Sequence, residues 1–126
     1  YLKGVISDPS KRWYQSVDNF YSSKDISLTS NYFQELKIFS EKYNSELYVV
    51  VLPYEYQTRR CMPENFKPQK KITKILLKNE VKFFDLSKEF CNYDNPKKYF
   101  YKFDMAHLSV QGHKLVFKLI NDKINF

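Results

Sequence analysis

The sequence predicts an α/β domain, and within that class the carboxyl-terminal part of a larger parallel-sheet domain. Three observations predict it. A helical pattern from Ser27 to Asn44 runs into "ELYVVVLPY", Glu46 to Tyr54, a continuous apolar run of the kind that forms a buried parallel strand. A second helix and strand follow in "PQKKITKILLKNE" and "VKFFDLS". Two clear strands are few for the helices that must pack on them, so further strands are expected upstream or on another chain. Residues 1–126 are read as one unit, either a single domain or the carboxyl-terminal fragment of one larger α/β domain.

The elements follow in order. Val5 and Ile6 suggest a short strand, and Ser7-Asp8-Pro9-Ser10 a turn. Lys11 to Asp25 is polar with interspersed aromatics and reads as a loop or short helix. Leu28, Tyr32, Phe33, Leu36, Phe39 and Tyr43 then recur at helical spacing, with Ser27, Thr29 or Ser30 able to cap. After the first strand, Gln57 to Pro68 reads as a long polar connection. Ile72, Ile75 and Leu76 mark the inner face of the next helix, and the second strand ends at Asp85. Cys91 to Lys98 is irregular around Asn95-Pro96, and a last helix from Val110 buries Leu115, Val116, Leu119 and Ile120 by their spacing.

Composition narrows the function classes. With 43% hydrophobic residues, 11 Tyr and 11 Phe, the chain is not a low-hydrophobicity disordered segment. Its formal net charge of +7 comes from lysines scattered among acidic residues, so no specific nucleic-acid partner is expected. The apolar run Leu47 to Leu52 is too short to cross a bilayer, and no signal-peptide pattern starts at Tyr1. Preceding residues, with any targeting signal, are expected to be absent from this sequence. Cys61 and Cys91 match no metal spacing, and both a disulfide and free thiols remain open. His107 and His113, six positions apart, form no zinc pattern, and no glycine-rich phosphate loop occurs, so neither metal nor cofactor is expected.

Chemistry concentrates at Asp104 and His107. A carboxylate three positions before a histidine can orient the imidazole and stabilise its charged form while the ring takes a proton from a hydroxyl nucleophile. The structural account of the same residues makes Asp104 a turn cap, Ser109 the N-cap of the last helix, Gly112 a site of close packing, and His113 half-buried or solvent-facing. Tyr54, Glu55, Gln57 and Arg59 follow the first strand, where α/β sheets carry their sites, and can line an acyl or sugar pocket, with Gln57 and Arg59 binding polar substrate groups, or form a solvated loop. Asp85 reads as a structural cap. Trp13 and the early tyrosines suit either stacking on sugar rings or covering an apolar face.

The block Asp104-Met-Ala-His107-Leu-Ser-Val-Gln-Gly112-His113-Lys-Leu-Val resembles the final block of the SGNH/GDSL hydrolase superfamily. "YVVVLPYEYQTR" with the following helix and strand is similar to the passage before that block in its acyl-esterase and acyltransferase branches. The resemblance spans Leu36 to Ile120. It implies a three-layer α/β/α domain that cleaves or transfers an O-acyl ester, with Asp104 as orienter and His107 as base. It further implies an acylated small molecule, glycan or cell-envelope substrate and an extracytoplasmic or cell-envelope location. The family's Gly-Asp-Ser block is missing, as are the glycine and asparagine blocks that supply oxyanion-hole donors; "ISDPS" does not replace them. The expectation is therefore the acid and base portion of a serine-dependent O-acyl esterase or acyltransferase, with the serine on an upstream segment or a separate chain. The alternative is a non-catalytic interaction or carbohydrate-binding module derived from the same fold.

Overall fold

In the computed structural model, which describes residues 8–22, 26–102, 104 and 106–124, two short strands pair in parallel at the centre. Strand β1 (Tyr48–Val51) and strand β2 (Lys82–Asp85) run in register Tyr48↔Lys82, Val49↔Phe83, Val50↔Phe84 and Val51↔Asp85. Among the described residues five α-helices accompany them: α1 (Pro9–Ser22), α2 (Ile26–Lys42), α3 (Glu55–Thr58), α4 (Lys67–Lys78) and α5 (Val110–Ile124). The chain is thus a mixed α/β domain with a small parallel sheet. The suggested strand at Val5 and Ile6 lies outside the described residues.

Because strand side chains alternate faces, the sheet separates two apolar clusters. Val51, Leu76 and Val81 form one, joined by Val49, Phe83, Ile72 and Phe33 from β1, β2, α4 and α2. Leu86, Phe90, Tyr99, Phe100, Leu108 and Leu115 form the other, against Val50, Leu52 and Phe84 and the α5 residues Val116, Leu119 and Ile120. The inner face expected for α5 is thus the observed one, and of the face expected for α4, Ile72 and Leu76 join the core while Ile75 belongs to neither cluster. β1 is less enclosed than its continuous apolarity suggests: Tyr48 is exposed, Val49 and Val50 are half-buried, and only Val51 is fully buried.

Two segments carry more structure than their sequence suggests. Lys11 to Asp25, ambiguous between loop and helix, begins inside the 14-residue α1. Asp8 starts that helix: its Oδ1 accepts the Ser10 N–H at 3.0 Å and its carbonyl accepts the Arg12 N–H at 3.1 Å, with Pro9 at the first helical position. The register is set by Tyr14, buried and stacked on Tyr56 at 5.2 Å between ring centroids. The Gln57 to Pro68 connection holds the end of α3 and a 3-10 turn, Pro63–Phe66, whose Phe66 is buried.

Helix ends are capped where the periodicity stops. After α2, Asn44 adopts a left-handed φ of 56° and the Ser45 N–H returns to the Ser40 carbonyl. After α4, Glu80 does the same at 52° and the Val81 N–H returns to Leu76. Beyond β2, 3-10 turns at Glu89–Asn92 and Pro96–Tyr99 replace the irregular segment. A disulfide joins Cys61, in the connection after β1, to Cys91, in the turn after β2. It ties together the two connections that leave the carboxyl ends of the strands.

Candidate acid-base site

The site is built on the chain between Tyr99 and Ser109. Phe100 and Leu108, both buried in the α5-side cluster, form an antiparallel bridge. The Tyr101 N–H reaches the His107 carbonyl at 3.1 Å, and the Asp104 N–H reaches the Tyr101 carbonyl at 3.1 Å. Two core aromatic and aliphatic anchors therefore hold an exposed turn at a fixed place. The turn ends at α5, where the Ser109 Oγ accepts the Gly112 N–H at 3.2 Å as an N-cap and donates to the Lys98 carbonyl at 2.6 Å.

Within the turn, Asp104 Oδ1 accepts the N–H groups of Ala106 and His107, each at 3.0 Å. Oδ2 lies 2.7 Å from His107 Nδ1. The two backbone N–H groups, followed by the imidazole, pull the Asp104 carboxyl down to about 2. At neutral pH it is a carboxylate and can only accept, so Nδ1 carries a hydrogen toward it, and in the unprotonated ring the lone pair lies on Nε2. The His107 side chain is 78% exposed, which leaves that nitrogen open to a reactant. No serine hydroxyl among the described residues is bonded to it. His113, one turn into α5, is exposed and apart from the pair.

Two cavities border this turn. A cleft of about 630 Å³ is lined by Asp104 together with Asp8, Ser10, Glu55, Arg59, Lys97 and Lys98, among others. A smaller, more apolar groove of about 270 Å³ runs along Val49 to Pro53 with Tyr54, Tyr21 and Ile72, and Ala106 closes it. One turn thus contributes Asp104 to the first and Ala106 to the second.

The residues singled out after β1 separate in space. Tyr54 is half-buried in the apolar groove, and burial followed by Tyr21 pushes its phenol up. Arg59 lines the cleft, but its donors are engaged. Nε donates to both Glu55 oxygens at 2.8 and 3.0 Å, Nη2 pairs with Glu55 and donates to the Ser10 hydroxyl at 3.0 Å, and Nη1 pairs with Asp8. Glu55, foremost, raises the guanidinium further above its ordinary value. Gln57 borders neither cavity. It is wholly buried, its Oε1 accepts the Tyr54 N–H at 2.7 Å, and its Nε2 donates to the Asn65 carbonyl and to Gln69. Its amide braces the connection after β1, and Gln69 extends the brace to the Leu52 carbonyl at 3.1 Å. Asp85 accepts the Ser87 N–H at 2.9 Å, a cap on the end of β2.

Sequence reasoning missed Asp8 and Glu55 as the partners of Arg59, and Lys97 and Lys98 as cleft residues. The spacing of four from Glu55 to Arg59 was a usable signal. Asp8 lies 51 positions from Arg59 and offered none.

No group of three or more His, Cys, Asp or Glu side chains able to hold a metal occurs among the described residues, and no described helix is long and apolar enough to cross a membrane. No family model, curated protein or solved structure matches the chain.

Proposed function

We propose that Asp104 and His107 are the acid-base pair of a serine-dependent O-acyl esterase or acyltransferase, in a domain of the three-layer SGNH/GDSL type. The observation that carries this reading is the 2.7 Å contact between a locked carboxylate and His107 Nδ1, with Nε2 left open on an exposed turn. His107 Nε2 takes the proton of a serine hydroxyl as that oxygen attacks the ester carbonyl. Asp104 stabilises the resulting imidazolium. The proton then passes to the departing alkoxide as the carbon–oxygen bond breaks, leaving an acyl-serine and a free alcohol. Water, or an acceptor hydroxyl, reverses these steps and regenerates the serine. The serine comes from a segment outside the described residues or from another chain. The groove along β1 takes the acyl group, and the larger cleft takes the sugar or polyol that carries the ester oxygen. The disulfide between Cys61 and Cys91 favours an oxidising, extracytoplasmic setting for this chemistry.

The test is intact-mass analysis after treating the full-length, folded protein with a serine-directed fluorophosphonate. An adduct on one serine, formed far more slowly when His107 is replaced by alanine, is the expected result. A folded protein that takes up no adduct overturns the catalytic reading. It would favour a non-catalytic binding module.

A further inference from the structure

We infer that the cleft beside Asp104 is a subsite for an anionic group on the substrate, a phosphate or carboxylate attached to the sugar or polyol, held by Lys97 and Lys98. This names the substrate class of the proposed acyl-ester site and rests on that reading for its chemical meaning, while the binding itself requires no nucleophile.

The argument starts from how the charges of the cleft are used. Arg59, which lines the cleft, is held by two carboxylates, Asp8 and Glu55, so it offers an anion no free positive charge. Lys97 and Lys98 line the same cleft from the Pro96–Tyr99 turn, and neither forms an ion pair among the described residues. Lys98 Nζ instead rests over the Tyr99 ring, 5.1 Å from its centroid. Their backbone is not a loose loop. Tyr99 and Phe100 are buried, the Ser109 N–H donates to the Tyr99 carbonyl at 2.9 Å, and the Ser109 hydroxyl grips the Lys98 carbonyl.

Two lysines with no ion-pair partner among the described residues therefore line, from core-anchored backbone, a cleft large enough for a sugar-sized ligand. Asp8 and Glu55 outnumber the one guanidinium they hold, and Asp104 adds a third carboxylate to the lining, so an anion is favoured only beside the lysines. A charged substrate is thus held one way round, its anion at the lysines. Tyr101, exposed and lining the same cleft, is an aromatic on which a sugar can stack.

The test is a chemical-shift titration of isotopically labelled protein with glycerol 1-phosphate and with a galacturonate trimer, against glycerol and a galactose trimer. Binding of at least one charged probe is expected, with shifts centred on residues 95–102 and little response to the neutral probes. Which charged probe binds more tightly distinguishes phosphate from carboxylate. Replacing Lys97 and Lys98 together by alanine should weaken that binding by about tenfold, as loss of charge-assisted contacts does. The matched double substitution Lys70→Ala/Lys71→Ala, away from the cleft, should change it little, and His107→Ala should leave it intact. Absence of binding, equal binding of neutral probes, or equal loss in the two double variants overturns the subsite. Serine labelling without any anion preference would sink the subsite alone, and anion binding without serine labelling would sink the catalytic reading alone.

Discussion

Asp104 holds three donors at once, the N–H groups of Ala106 and His107 and the His107 ring. The same contacts that make it a turn cap place its second oxygen against the imidazole, so the structural and chemical readings of this residue are one geometry. A carboxylate so engaged titrates low: about 2 against an ordinary 3.8. Since the folded value lies below the unfolded one, the order Asp104 gives the turn is fully present above the ordinary value and is lost as pH falls through about 2. The Asp104 carboxyl carbon followed by NMR should show its midpoint near that lower pH, with the Ala106 and His107 amide shifts moving in step. A midpoint at the ordinary value would mean that the turn does not hold in solution.

At the scale of elements, α5 fixes the site through its first turn. Gly112 is buried there, and a Cβ on it would lie 2.1 Å from the Tyr99 carbonyl oxygen and 3.0 Å from the Leu108 Cβ. In an open helix Gly→Ala gains about 1 kcal/mol. Here the clash is with backbone, which cannot rotate away, so overpacking wins and Gly112→Ala should destabilise by about 1–3 kcal/mol. It should also separate the Lys97–Lys98 turn from the Asp104 turn, because Tyr99 and Ser109 meet at this contact. Urea unfolding is the check, and an unchanged or raised midpoint would show that the close approach is not maintained. α2 is the contrasting case. Its stripe of Leu28, Tyr32, Leu36, Phe39 and Tyr43 is the periodicity that predicts the helix, yet these side chains are exposed, and only Phe33 joins the core. Periodicity announces a helix with an apolar face but does not say that the described residues cover it.

For the whole molecule, the Cys61–Cys91 disulfide is the one covalent link across the sheet edge. Closing 30 positions of chain restricts the unfolded state by about 3–4 kcal/mol in the loop-entropy account. Replacing both cysteines by serine should lower stability by that order in urea unfolding, and an unchanged midpoint would assign the bond no stabilising role. Neither the pairing nor its partners could be read from spacing, because nothing local distinguishes these cysteines from free thiols. By contrast, the class of the domain, the order of α2, β1, α4, β2 and α5, and the Ser109 cap were legible, since periodicity and caps depend on neighbours a few residues away; close packing at Gly112 was legible as a role, but its partner Tyr99 was not. The three-residue spacing let one turn carry both Asp104 and His107, but that the carboxylate meets the ring depended on turn geometry the spacing does not supply. Tertiary structure alone decided that Asp8 reaches Arg59, that Gln57 turns inward as a brace, and that Lys97 and Lys98 face the cleft shared with Asp104. Local sequence specifies what a side chain can do within one turn of backbone, whereas its partner from a distant segment is chosen by how the helices and sheet bury their apolar faces.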